Sequence, residues 1–208
     1  GMEQALVIRQ SDVKQDWMVE LNGDRLGQLF LMEADVVHVL PVPPGAIREG
    51  RNELRISTRT PEDIVISGIE LVDASREQFL SEARLQVTIR DGRDQPLPAR
   101  ITVLDENEFL PPLLVDQGAR LAVRPGVIYT GDGRVGVGLP SGKYTIHATR
   151  GPEYSLGTEQ ITIPAGETGV VEMTLKREVS TEGWVAVDTH IHTLTLSRHG
   201  DATLQERM

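Results

Sequence analysis

Apolar and polar residues alternate along most of this chain with a period of two, the spacing of strands that bury one face. Residues 3–9 open the series. Residues 17–21 run into Asn22-Gly23, a pair that tolerates the positive φ of a tight hairpin, and 26–31 is the expected return strand. Residues 36–42 follow, ended by Pro43-Pro44-Gly45, then 50–57, alternating over Leu54 and Ile56, then 64–72. Strands at this spacing, with Pro and Gly between them, predict a β-sandwich. Over 75–84 the period changes: Phe79, Leu80 and Ala83 fall on one helical face, so a short helix or a linker is expected there.

A second β series begins at 85–90, ended by Asp91-Gly92, and continues with 100–104. Residues 105–127 read as a long irregular loop carrying Pro111-Pro112, Gly118 and Pro125-Gly126. A loop of that length is uncommon and either carries function or packs against a neighbour. Strands are expected at 127–130, 134–139, 143–149, 160–164 and 170–175, separated by turns at 131–133, 140–142 and 165–167; 176–183 reads as a linker. The expected fold is mainly β: a first sandwich over 1–76, a linker or short helix over 77–84, a second sandwich over 85–178, and over 179–208 a short strand beginning a third piece.

Length and composition fit this picture. The chain has 208 residues, 39% hydrophobic and 25% charged, enough for one large domain or two small ones. A net charge of −10 with no long basic run disfavours nucleic acid and anionic membrane as partners. No apolar run approaches the roughly 20 residues of a membrane span, and no signal peptide is visible; a soluble protein is expected, with its compartment left open. Gly1-Met2 reads as a cloning remnant. With no cysteine, any metal site must use His, Asp or Glu.

The chemistry-bearing residues lie at the end: Asp188, His190 and His192, then His199 and Asp201. On a strand, Trp184, Ala186, Asp188, His190 and His192 share one face and Val185, Val187, Thr189 and Ile191 the other. Two imidazoles so placed can meet one metal at about 2.0–2.1 Å for zinc. Asp188 can hold a ligand histidine through a hydrogen bond; His199, on the loop leaving the strand, can reach the same cluster; Asp201 is a weaker candidate. From spacing alone, His190 and His192 read sooner as two exposed histidines on an edge strand; Asp188 and the His199-Gly200-Asp201 run turn the reading toward metal ligands. Thr203 and Glu206 carry a capping-box spacing, so a helix should start there, though it has few residues before Met208. His38 and His147 read as structural strand residues. Residues 105–108 are acidic but lack calcium-loop spacing and read as a solvated loop. No serine nucleophile elbow or phosphate-cradling glycine loop is present, and nothing in the spacing around Lys143 supports an isopeptide.

Three resemblances attach to these residues. The runs 19–27 and 43–56 resemble galactose-binding-like jelly rolls, which implies a fold rather than a ligand. Sugar-binding faces need exposed aromatics, and the chain is 4% aromatic. Residues 139–150 with 163–168 resemble carboxypeptidase-regulatory-like (transthyretin-like) sandwiches, in which Pro140, Gly142 and Tyr144 turn one strand into the next and bury the tyrosine ring. Residues 183–193 with 197–207 resemble the opening of PHP-type metallohydrolases, more closely the CehA/McbA branch. That resemblance implies a distorted α/β barrel with two or three divalent metals (Zn, Mn or Fe), hydrolysing phosphoester or ester-like bonds by metal-bound water. It also implies that His190, His192 and His199 are metal ligands.

The resulting expectation is a non-catalytic accessory region of a metal-dependent hydrolase, cut as the catalytic domain begins. It would be inactive alone, with no catalytic residue in this chain and its own missing catalytic domain as partner. The fragment itself is expected to bind metal or none. The severed strand should pack on the second module or across a homodimer contact through residues 184–193. The alternative is a free-standing β-sandwich binding or scaffold protein, for carbohydrate or protein, with an incidental histidine tail.

Overall fold

The computed structural model describes residues 1–59, 63–116, 121–185, 192–193, 195–196 and 202–207. The fold is mainly β, built as two consecutive sandwiches. The first contains β1 (Gln4–Ser11), β2 (Met18–Leu21), β3 (Asp24–Gln28), β4 (Val36–Val42), β5 (Leu54–Ser57) and β6 (Val65–Val72). Two three-stranded sheets, in the orders β4-β1-β6 and β3-β2-β5, face each other. Leu6, Ile8, Leu40 and Val42 of one sheet meet Val19, Leu21, Leu54 and Ile56 of the other. Asn22 (φ 55°) and Gly23 (φ 91°) make the expected hairpin turn.

Two strands are shorter than their patterns predict. The return strand β3 stops at Gln28; beyond it, fully buried Gln10 pairs with Phe30, its Nε2 donating to the carbonyl at 2.6 Å and its Oε1 accepting from the amide at 3.1 Å. A side-chain amide there takes the place of a strand partner. The strand expected from residue 50 starts at Leu54, because Asn52 accepts from the Arg48 amide and donates to the Arg48 carbonyl, both at 2.9 Å, folding 48–52 into a turn.

Helix α1 (Arg76–Leu80) is started by a capping box: the Gln78 amide donates to Ser75 Oγ at 3.2 Å and the Ser75 amide to Gln78 Oε1 at 2.9 Å. It ends at Ser81, so Ala83 does not continue the helical face of Phe79 and Leu80. Ala83 instead begins the next strand, opposite Leu139.

The second sandwich contains β7 (Ala83–Asp91), β8 (Ala99–Asp105), β9 (Leu114–Val115), β10 (Leu121–Arg124), β11 (Val127–Thr130), β12 (Arg134–Leu139), β13 (Gly142–Thr149), β14 (Gly157–Ile163) and β15 (Thr168–Leu175). A five-stranded sheet (β10-β11-β8-β13-β14) covers a four-stranded one (β15-β7-β12-β9). Between them lie Leu85, Val87, Ile89, Ile101, Val103, Ile146 and Leu175. β15 runs parallel to β7 with Thr168 opposite Arg84 and alternates strictly between buried and exposed residues. The Tyr144 ring is buried and its hydroxyl donates to the Pro140 carbonyl at 2.6 Å.

The 105–127 stretch is not irregular throughout. β10 and β11 form a hairpin closed by Pro125-Gly126, with Arg124 opposite Val127. Gly126 has φ +61°, and a Cβ there would lie 2.7 Å from the Val103 carbonyl oxygen, so only glycine turns this corner. Residues 176–183 are tied down rather than loose. Arg177 pairs with Glu153, whose other oxygen accepts from Thr181 Oγ1 at 3.0 Å.

Helix α2 (Leu204–Arg207) follows Thr203. The strand expected over 184–193 lies mostly outside the described residues; at its near end Trp184 and Val185 are 81% and 85% exposed and do not pack on the second sandwich. No described helix is long and apolar enough to cross a membrane.

Candidate functional site

Of the five candidate metal-site residues, Asp188, His190, His199 and Asp201 lie outside the described residues. His192 is described and exposed, next to buried Thr193. The Leu196 amide donates to the Thr193 carbonyl at 3.2 Å, and the Leu204 amide to Thr195 Oγ1 at 3.1 Å, so this stretch turns back onto the start of α2. No group of three His, Asp or Glu gathers in metal-binding geometry among the described residues.

The most developed feature is the junction of the two sandwiches. Along β1, Leu6 and Ile8 face the first core while Ala5 and Val7 face the other way. That outer face is covered: Ala5, Val7, Val37 and Val39 pack with Leu80 of α1 and with Phe79, Phe109 and Leu114. Beside this cluster Val36, Leu110 and Val127 gather with Phe30, Met32 and Tyr129. The segment after β8 therefore packs against the neighbouring sandwich. It also hydrogen-bonds to it: the Leu110 amide donates to the Asp35 carbonyl at 2.8 Å and the Val37 amide to the Leu110 carbonyl at 2.9 Å. Leu110 thus adds a one-residue parallel bridge to the edge of β4.

Arg9 continues the outward row after Ala5 and Val7. Its Nη1 donates to Asp105 Oδ2 at 2.6 Å, and its guanidinium stacks 5.2 Å from the Phe109 ring centroid. Asp105 Oδ1 accepts from the Asn107 and Phe109 amides, each at 2.9 Å. Within 105–108, Glu106, Asn107 and Glu108 are exposed as a solvated loop would have them, but Asp105 is mostly buried and shapes the turn that presents Phe109 and Leu110. The local spacing hid this, because the partner of Asp105 sits in another module. The legible signal was the apolar run on both faces of β1 and β4, which marks a sheet covered on both sides.

A cleft of about 320 Å³ opens at the junction, with Arg9, Glu70, Glu82, Asp105, Glu106 and Lys143 on its walls. Glu82 accepts from the amide and the hydroxyl of Ser141, both at 2.9 Å. Burial, then the charges of Asp105 and Glu82, push the Tyr144 hydroxyl well above its ordinary value, with Arg9 opposing. Tyr144 therefore stays a neutral donor to Pro140. Asp105, Glu82, Ser141 and Tyr144 are all committed to structural hydrogen bonds, which suits a binding or docking crevice better than acid–base work.

The two strand histidines are structural. His38 Nε2 donates to the Gln28 carbonyl at 3.0 Å, and its ring lies 6.0 Å from that of Phe30. Burial lowers its pKa, Arg76 adds to the shift, and the Gln28 bond opposes it. His147 Nδ1 bonds Thr158 Oγ1 at 2.9 Å.

No protein-family model and no curated protein sequence matches the chain. Among solved structures, it is similar to the Bacillus anthracis TIE protein (15% identity, TM-score 0.35, covering 84% of this chain and 34% of that one). It is also similar to GBS52, the minor pilin of Streptococcus agalactiae (14%, TM-score 0.41, covering 90% and 87%). A third is a variant of BcpA, the major pilin subunit of Bacillus cereus (12%, TM-score 0.35, covering 83% and 59%). The chain thus spans about a third of the first of these. Likenesses this distant carry no functional inference.

Proposed function

We propose that this chain is a non-catalytic scaffold in which two β-sandwiches are locked into one rigid piece. The observation that carries the reading is the junction itself. An apolar cluster around Val7, Val39, Leu80 and Phe109, a backbone bridge at Leu110 and the Arg9–Asp105 pair all join the same two modules. Modules joined by a linker alone move independently, whereas a hydrophobic interface with backbone hydrogen bonds fixes their angle. Backbone 15N relaxation tests this. A single tumbling time for residues 4–72 and 83–175 supports it; separate tumbling of the two sandwiches contradicts it.

A second reading rests on the spacing of Asp188, His190 and His192 with His199 and Asp201. In it, the rigid pair is the accessory front of a PHP-type metal-dependent hydrolase, and His190, His192 and His199 hold a divalent metal, with Asp188 or Asp201 supporting them. The metal would supply an activated water for hydrolysis of an ester-class bond. Calorimetric titration of the chain with zinc and manganese, beside His190→Ala/His192→Ala, tests it. Stoichiometric binding lost in the double variant supports metal ligation; binding that survives, or none at all, counts against ligation by this chain.

A further inference from the structure

β6 is the outer strand of its sheet, and among the described residues no strand lies on its far edge. Such an edge presents unpaired backbone donors and acceptors, and proteins usually blunt it with lysine, proline or a cover. From Val65 to Val72 β6 has no lysine and no proline, and its one charged residue is Glu70. Its one irregularity is an extra residue, Ser67, where the register against β1 shifts, so Gly68 to Val72 stays regular. Val65, Ile69 and Leu71 are 53%, 50% and 42% exposed.

The two faces of this edge differ. Ile69 and Leu71 stand opposite Ile8 and Leu6, on the core side of the sheet, where the facing sheet leaves them partly bare. Glu70 stands opposite Val7, on the side of the junction cleft. Around that cleft Glu70, Glu82 and Glu106 outnumber Lys143, while Arg9 is held by Asp105. A strand laid along β6 therefore meets apolar side chains on one face and carboxylates on the other.

We propose that the β6 edge is a docking site for an extended segment of another protein with an apolar–basic–apolar pattern. The segment would add as a fourth strand, its apolar residues flanking Ile69 and Leu71 and its basic residue set beside Glu70. Main-chain hydrogen bonds would supply the pairing and alternate side chains the selectivity. A second copy of this chain fits less well. The antiparallel register that overlaps Ile69 with Leu71 sets Glu70 against Glu70, and each copy carries a net charge of −10.

The test is amide-shift titration of the whole chain with a short blocked peptide alternating valine and lysine, beside its valine–glutamate twin. The expected result is shifts along 65–72 and preference for the lysine peptide. Glu70→Lys, which keeps an exposed side chain, should weaken the lysine peptide about fivefold or more and improve the glutamate peptide. Shifts centred elsewhere, no shifts at all, equal response to both peptides, or an unchanged affinity in Glu70→Lys would overturn the proposal. So would a dimer in sedimentation that Ile69→Lys makes monomeric, since the edge would then belong to a second copy.

Discussion

Arg9 and Asp105 meet at 2.6 Å although 96 positions separate them in sequence. Because the other oxygen of Asp105 accepts from the Asn107 and Phe109 amides, one carboxylate both shapes the turn after β8 and fastens it to β1. Removing it undoes both. Asp105→Ala is expected to cost about 2–3 kcal/mol, leaving two amides and a guanidinium without their acceptor. Arg9→Ala, which loses a partly exposed charge and its packing on Phe109, should cost about 1 kcal/mol. Urea unfolding of both single variants and the double variant measures these values, and the double-variant cycle should show coupling rather than additivity.

Gly138 tests the seat of α1. A Cβ at this position would lie 2.8 Å from the Leu80 carbonyl oxygen and 3.3 Å from Leu114 Cβ. Gly138→Ala must therefore push the end of α1 off β12, at about 1–3 kcal/mol. An unfolding midpoint equal to that of the parent would show that α1 does not sit where the junction requires it.

Tyr144 gives an alkaline signature. Its hydroxyl pKa is raised above the ordinary 10.0 by burial. The unfolded chain thus releases this proton first, and the stability tied to Tyr144 is present below pH 10 and lost as pH rises beyond it. Tyr144→Phe should cost about 1 kcal/mol at neutral pH through the lost bond to Pro140. The variant should also show a shallower decline above pH 10, read from thermal midpoints across that range.

His38 gives the opposite signature. Its folded pKa lies below the ordinary 6.5, so the unfolded chain takes up this proton first as pH falls. Stability is full above 6.5 and declines through the lowered folded value. In thermal melts from pH about 7.5 to about 5, the parent should lose stability along this slope. His38→Gln, which can still donate to Gln28, should be flatter.

The positions of most strands along the chain were legible in the period-two pattern, down to the Asn22-Gly23 hairpin and the turn at 140–142, but the order of the strands within each sheet was not. β10 was not, because Pro125-Gly126 looks like loop interior until its strands are seen to pair on either side. Ala83 was misplaced because a helical face continued past Leu80 in sequence, while Ser81 ended the helix in space. The Arg9–Asp105 lock was invisible because an ion pair across 96 residues has no local pattern. Asp105 stood among acidic neighbours that suggested solvent. The tail motif at Asp188, His190 and His192 was the clearest chemical spacing, and its first two residues lie outside the described ones.

Differential scanning calorimetry of the intact chain tests the rigid junction most directly. If the two sandwiches form one cooperative body, a single transition is expected, with calorimetric and van't Hoff enthalpies equal. Two resolved transitions, or a calorimetric enthalpy well above the van't Hoff value, would mean that the sandwiches unfold separately and would contradict the locked scaffold.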